Sequence, residues 1–360
     1  AKKPSSKNGY PLIIRDLKTS VEDTIHFVTN YTFAKKAKTL AYTTTGMKGK
    51  MKAGVYVKDL KTNTTKQVFN SHQKTKYFKL HFSDFGNYLA FVVDADSTKA
   101  YHRPNELYAW DASNEKAKLI LNDDSTPKGY RVSSDGEISF SKDESRLFFG
   151  LALPEIVQDT LLLKEEIVNV EVWTYDEPRL YTVQEKQLKN DRKKSYQTVF
   201  HLKDKKLLQI ATKEFPNAVL SDEGNGDYAL VSNRKPYQLS AQWTAQFYTN
   251  DLAILNLKSG NSKMVIKANP DNARLSPKGN YAFGYNQIDS TWYAYNVLTD
   301  QYQELTKGKK FYNELNDSPN YPRSYGFAGW TKNDKKILIY DRFDVWEFNP
   351  DNGVSNRLTK

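Results

Sequence analysis

The stretch LHFSDFGNYLAFVVD, Leu80 to Asp94, sets the pattern of apolar and polar positions for the whole chain. Leu80 and Phe82 alternate with His81, Ser83 to Asn87 are turn formers, and Leu89 to Val93 is a short apolar run, so the segment predicts a β-hairpin. Ser83 and Asp84 can bond the backbone two residues on, and Gly86 supplies the positive φ that such a turn needs. The pattern returns in ISFSKDESRLFFG (Ile138 to Gly150), AVLSDEGNGDYALVS (Ala218 to Ser232), ARLSPKGNYAFGYN (Ala273 to Asn286) and AGWTKNDKKILIYD (Ala328 to Asp341). A looser copy, YTFAKKAKTLAYTT (Tyr31 to Thr44), comes first.

Aligned on the Ser83 position, the copies place Ala34, Ser83, Ser141, Ser221, Ser276 and Thr331 in register, about fifty residues apart except for a wider step from Ser141 to Ser221. Ser or Thr recurs in five of these six units, so it punctuates a fold and does not mark a single site. After each hairpin a second one follows, as in LYAWDASNEKAKLIL and WYAYNVLTDQYQELT, which makes four strands per unit, named A to D from the axis outward. In the fifth unit these are Arg274 to Ser276, Tyr281 to Asn286, Trp292 to Val297 and Tyr302 to Thr306. The predicted fold class is therefore all-β, a β-propeller of four-stranded blades treated as one array, with six full repeats plus a half repeat from a seven- or eight-bladed parent. The blades fall at about 29–70, 77–122, 135–212, 217–268, 272–307 and 326–360, after a half blade at 10–28 that reads as strands C and D without A and B.

The wide step holds an insertion, Pro154 to Tyr196. Its centre is IVNVEVWTYDEPRLY, where Val168, Val170 and Val172 alternate with polar residues as a strand would, and the charged run TVQEKQLKNDRKKSY that follows suits a helix.

A chain that is 13% aromatic is well supplied for packing stacked sheets, and a mean hydropathy of -0.72 leaves no apolar run long enough for a membrane span. With 0 cysteines there is no disulfide framework and no thiol nucleophile or thiolate metal site, which fits an oxidising compartment. Localisation is expected to be periplasmic or secreted, although AKKPSSKNGY at the start is polar and basic and shows no signal peptide. The formal charge of +11 raises nucleic acid as a partner, but lysines such as Lys35, Lys66, Lys142, Lys263 and Lys335 are scattered over turns and strand edges, where they guard sheets against edge pairing. No nucleic-acid partner is expected.

The sequence contains no G-x-S-x-G elbow, no H-E-x-x-H, no P-loop and no dinucleotide fingerprint. His26, His72, His81, His102 and His201 show no metal-ligand spacing, so no catalytic residue, metal or cofactor is assigned. One constellation suggests binding: Trp173, Tyr175, Asp176 and Glu177, with Glu165 and Glu166 upstream. Adjacent carboxylates beside aromatics can hold a peptide's amino terminus by charge-assisted bonds while apolar walls exclude water.

The hairpins FSDFGNYLAF and SPKGNYAF and the insertion VNVEVWTYDEPRL resemble the N-terminal β-propeller of prolyl oligopeptidase-family serine peptidases, especially the secreted bacterial dipeptidyl-peptidase branch. The resemblance implies an α/β-hydrolase domain with a Ser-Asp-His triad in the same polypeptide, a propeller that gates and orients peptide substrates, and a Glu pair on the propeller that holds the substrate's amino group. Trp173-Thr174-Tyr175-Asp176-Glu177 matches that motif's aromatic-then-acid order, with Asp first and Pro178 after. Two other functions fit the repeat: a stand-alone protein-binding propeller of the TolB-like kind, and a hydrolase working from its own central pore. A WD-repeat scaffold fits poorly, since no Gly-His and Trp-Asp pair recurs.

Overall fold

A computed structural model describes residues 8–47, 51–96, 98, 103–156, 161–167, 174–244 and 248–359. The chain divides into two compact units, residues 1–169 with 189–207 and residues 170–188 with 208–360. Within them lie six antiparallel sheets, each built on a four-stranded meander of the propeller-blade type.

The first sheet holds β1 (Tyr10–Arg15), β2 (Glu22–Phe33), β3 (Thr39–Thr44), β4 (Gly54–Asp59) and β5 (Thr64–Asn70). The second holds β6 (Lys76–Phe82), β7 (Tyr88–Asp94), β8 (Glu106–Asp111) and β9 (Lys118–Leu121). The third comprises β10 (Arg131–Val132), β11 (Ser139–Phe140), β12 (Arg146–Ala152), β13 (Tyr196–His201) and β14 (Lys206–Gln209), with β10 and β11 both paired to β12. In the second unit the fourth sheet is β15 (Asn217–Leu220), β16 (Tyr228–Asn233), β17 (Asn250–Asn256) and β18 (Ser262–Asn269). The fifth is β19 (Arg274–Leu275), β20 (Tyr281–Asn286), β21 (Thr291–Asn296) and β22 (Tyr302–Glu304), within two residues of expectation at every boundary. The sixth is β23 (Phe327–Trp330), β24 (Ile337–Tyr340), β25 (Val345–Phe348) and β26 (Ser355–Arg357).

The continuous apolar run of β7 follows from burial on both faces. Leu89, Phe91 and Val93 pack toward the first sheet with Ala41, Val55 and Val57, while Ala90 and Val92 pack toward the third with Leu147 and Phe149. In the second unit Tyr281, Phe283 and Trp292 meet Ile337, Ile339 and Phe348, and Leu230, Leu252 and Ile254 meet Ala282 and Tyr295. Each large side chain so buried contributes about 1.5 to 3 kcal/mol.

The repeated Ser or Thr staples the A–B turn in the second, third, fifth and sixth sheets, whereas Ser221 Oγ in the fourth makes no hydrogen bond among the described residues. Ser83 Oγ accepts from Tyr88 N at 3.0 Å, Ser276 Oγ from Tyr281 N at 3.0 Å, and Thr331 Oγ1 from Lys336 N at 3.0 Å. Three residues further on, the chain takes a positive φ: Gly86 (77°), Glu144 (57°), Gly224 (88°), Gly279 (79°) and Asp334 (57°). Where a carboxylate replaces glycine it reaches the neighbouring sheet's turn. Glu144 accepts from Phe85 N at 2.9 Å and Asn87 Nδ2 at 2.6 Å, and Asp334 accepts from Ser276 Oγ at 2.6 Å and Lys278 N at 3.0 Å.

The N-terminal hairpin differs from expectation. The segment read as the outer half of a separate blade pairs into the first sheet, because β2 runs from the hairpin straight into the position of strand A. A φ of 62° at Phe27 and a register shift between Val28 and Asn30 break that strand. Its first half and β1 then place Leu12, Ile14 and Ile25 against Leu40, Tyr42, Tyr56 and Leu60, on the face opposite the second sheet. The buried Lys58 on that face donates to Asp23 of the hairpin at 2.9 Å. The hairpin thus covers Leu40 and Tyr42 on that face of the first sheet.

Candidate functional site

The insertion after Pro154 was expected to carry a strand through Val168, Val170 and Val172, which lie outside the described residues, as does Trp173. Its charged run forms the expected helix, α1 (Tyr181–Arg192). Straight-chain Gln, Glu, Lys and Leu favour helix there, and Lys189 and Arg192 in the last turn complement the helix dipole.

Thr174 to Glu177 form an exposed turn leading into α1, with Tyr175 96% exposed. Gln184, one turn into the helix, donates to Glu177 Oε2 at 3.3 Å and to the Arg179 carbonyl at 2.9 Å, which fixes the acidic turn against the helix. Glu165 and Glu166 are exposed, and Glu166 Oε2 accepts from Leu163 N at 2.9 Å as a local cap. They belong to the first unit, whereas Asp176 and Glu177 belong to the second.

A second element meets this turn. Between β16 and β17 the chain makes a short turn at Lys235–Tyr237, with Pro236 at its start, and then α2 (Gln238–Thr244). Gln242 Nε2 on α2 donates to the Pro178 carbonyl at 3.3 Å. Pro178, Leu180 and Val183 on one side and Tyr237, Ala241 and Gln242 on the other, with Arg179 and Arg234, line a cleft of about 370 Å³ that begins at the residue after Glu177. Tyr237 is anchored by donating its phenol to Asp251 Oδ1 at 2.6 Å, and burial together with that bond pushes the phenol pKa up. Leu180 and Val183 in its lining are 58% and 40% exposed, so the cleft opens onto apolar surface, and Trp243 of α2 is 84% exposed.

Tyr237, Ala241 and Gln242 were not singled out in the sequence. Their element is hidden because the fourth unit keeps the spacing of the fifth: one spends extra residues between its second and third strands, the other between β22 and β23. The histidines fall on separate elements, His26 on β2, His81 on β6 and His201 on β13, while His72 Nε2 lies 2.8 Å from the Ala95 carbonyl and His102 is outside the described residues. Among the described residues no cluster of His, Cys, Asp or Glu is arranged to hold a metal, and no helix is long and apolar enough to cross a membrane.

No protein-family model and no curated protein matches the sequence. Solved structures do. The β-propeller domain of the Trilobed protease from Pyrococcus furiosus aligns over 97% of this chain and 90% of its own, at 13% identity and a TM-score of 0.37. TolB from Acinetobacter baumannii aligns over 83% of this chain and 60% of its own, at 14% identity and a TM-score of 0.32. Dipeptidyl peptidase 4 from Porphyromonas gingivalis aligns over 99% of this chain at 13% identity and a TM-score of 0.45, and this chain spans 52% of its length. The fold is that of a β-propeller, as the six sheets define it, and the chain's structural neighbours include the propeller domains of prolyl oligopeptidase-family peptidases.

Proposed function

We propose that the chain is the non-catalytic propeller part of a periplasmic or secreted serine peptidase, gating and orienting peptides for an α/β-hydrolase domain of the same polypeptide. The observation that carries this reading is the acidic turn held beside an apolar cleft by Gln184 and Gln242. In this role Asp176 and Glu177 take the charged amino terminus, and the cleft walled by Leu180, Val183 and Tyr237 takes an apolar side chain. The test is peptide binding to the purified chain by isothermal titration. A tripeptide with a free amino terminus is expected to bind, and acetylation or the Asp176→Asn/Glu177→Gln double variant to weaken it by about tenfold or more, the effect of losing charge-assisted bonds worth about 1.4 kcal/mol. Equal binding of the free and acetylated peptides would refute the role of the acids.

The exposed Leu180 and Val183 of the cleft and the exposed Trp243 of α2 favour a second reading, a protein-binding propeller of the TolB-like kind. Under that reading a folded partner would protect Trp243 from solvent, and free-amine peptides would not compete for it.

A further inference from the structure

Three arginines converge on one loop of the second unit. The loop, Pro270 to Ala273, links β18 to β19 and is pinned from below: Asn250 Nδ2 donates to the Asp271 carbonyl at 3.1 Å, and Asn269 Nδ2 donates to the same oxygen. Asp271 is half-buried, and its Oδ1 accepts from Asn272 N at 2.6 Å. Arg234, which also borders the apolar cleft, donates from Nη2 to Asn272 Oδ1 and stacks over Tyr248 at 5.2 Å. Arg274 follows the loop directly and stacks over Phe327 at 5.0 Å. Arg323 lines a cleft of about 940 Å³ together with Tyr248, Pro270 and Gln287. All three act electrostatically on Asp271, yet burial still holds that carboxyl above its ordinary range. None of the three is in an ion pair among the described residues.

Arg323 lines the polar cleft, Arg234 stacks on Tyr248 of the same cleft, and Arg274 directly follows the loop, so three guanidinium groups gather about the loop that carries Asp271. Stacking on Tyr248 and Phe327 holds two of the side chains in place, so little conformational freedom is lost when an anion arrives. Planar guanidinium forks match carboxylates in geometry. We propose that Arg234, Arg274 and Arg323 form a carboxylate-binding site that selects acidic peptides. That the carboxylates belong to a peptide rests on the function proposed above, while the anion site itself rests on the arginines alone.

The experiment uses the whole chain and three fluorescein-labelled, amino-terminally blocked tetrapeptides, followed by fluorescence anisotropy. The first carries two Asp residues and a free carboxyl terminus, the second Asn in place of Asp, and the third the Asp residues with an amidated terminus. Blocking the amino group removes the moiety assigned to Asp176 and Glu177, so failure of that assignment leaves this outcome unchanged. The first peptide is expected to bind, and the Arg234→Ala/Arg274→Ala/Arg323→Ala variant to weaken it by about tenfold or more. Asp271→Asn, which removes the competing internal carboxylate, is expected to tighten binding severalfold, and serves if the triple variant does not fold. Loss of binding with the Asn peptide assigns the site to acidic side chains, and loss with the amide assigns it to the carboxyl terminus. Binding that survives both changes, an unaffected triple variant, or unchanged or weaker binding by Asp271→Asn would overturn the proposal.

Discussion

Asp334 tests the idea that neighbouring sheets are joined at their A–B turns by single carboxylates. Its side chain is 1% exposed, it accepts from Ser276 Oγ at 2.6 Å and from Lys278 N at 3.0 and 3.1 Å, and it holds these contacts at a φ of 57°. Two energies oppose each other there. A non-glycine residue in the left-handed region costs roughly 1 to 2 kcal/mol, whereas each hydrogen bond to a charged group contributes about 1.5 to 3 kcal/mol net. Asp334→Ala keeps the strain and strands the buried Ser276 hydroxyl and the Lys278 amide, so about 2 to 4 kcal/mol should be lost. Asp334→Gly strands the same donors but relieves the strain, and should recover roughly 1 kcal/mol of that loss. The expected order is wild type, then Asp334→Gly, then Asp334→Ala. Urea unfolding followed by the fluorescence of Trp330, which packs in the same core, would measure it, and a cycle with Ser276→Ala should give a coupling of about 1 to 2 kcal/mol. Wild-type stability in Asp334→Ala, or stability above wild type in Asp334→Gly, would mean that the carboxylate contributes nothing beyond its strain.

Other consequences follow from burial. Tyr42, stacked on Tyr56 with ring centroids 5.3 Å apart, has its phenol pushed up by burial to about 12 from 10.0, as has Tyr77. The unfolded chain loses these protons first, so the stability they contribute is complete below pH 10.0 and falls away as the pH rises toward about 12. Urea midpoints across that window should drop, and drop less in Tyr42→Phe; a flat alkaline profile would contradict the assignment. At Gly150 an added Cβ would lie 2.7 Å from Gly136 Cα and 2.8 Å from Ser195 Cβ, so Gly150→Ala should cost about 1 to 3 kcal/mol in the same unfolding assay.

Much of the fold was legible because local chemistry and long-range packing agree. The Ser, the positive-φ residue three positions on and the apolar B strand recur together, and β7 lies between the first and third sheets, which is why its apolar run is continuous. The N-terminal hairpin was misplaced because what redirects β2 is one backbone angle at Phe27, a residue with no turn signature. The acidic turn was visible as a motif, and its helix as a composition, but the opposing wall at Tyr237 to Gln242 was not, since equal repeat spacing concealed an insertion. Arg234, Arg274 and Arg323 are far apart or unremarkable in sequence; the loop at 270–273, which Arg234 bonds through Asn272 and which shares a cleft with Arg323, relates them.

The central claim is that the acidic turn and its cleft receive a peptide by its amino terminus. A crystal structure of the chain with a tripeptide bearing a free amino group tests this most directly. The amino nitrogen is expected within hydrogen-bonding distance of the Asp176 and Glu177 carboxylates, with the first apolar side chain in the cleft walled by Leu180 and Val183. A peptide bound elsewhere, with its amino group away from both acids, would contradict it.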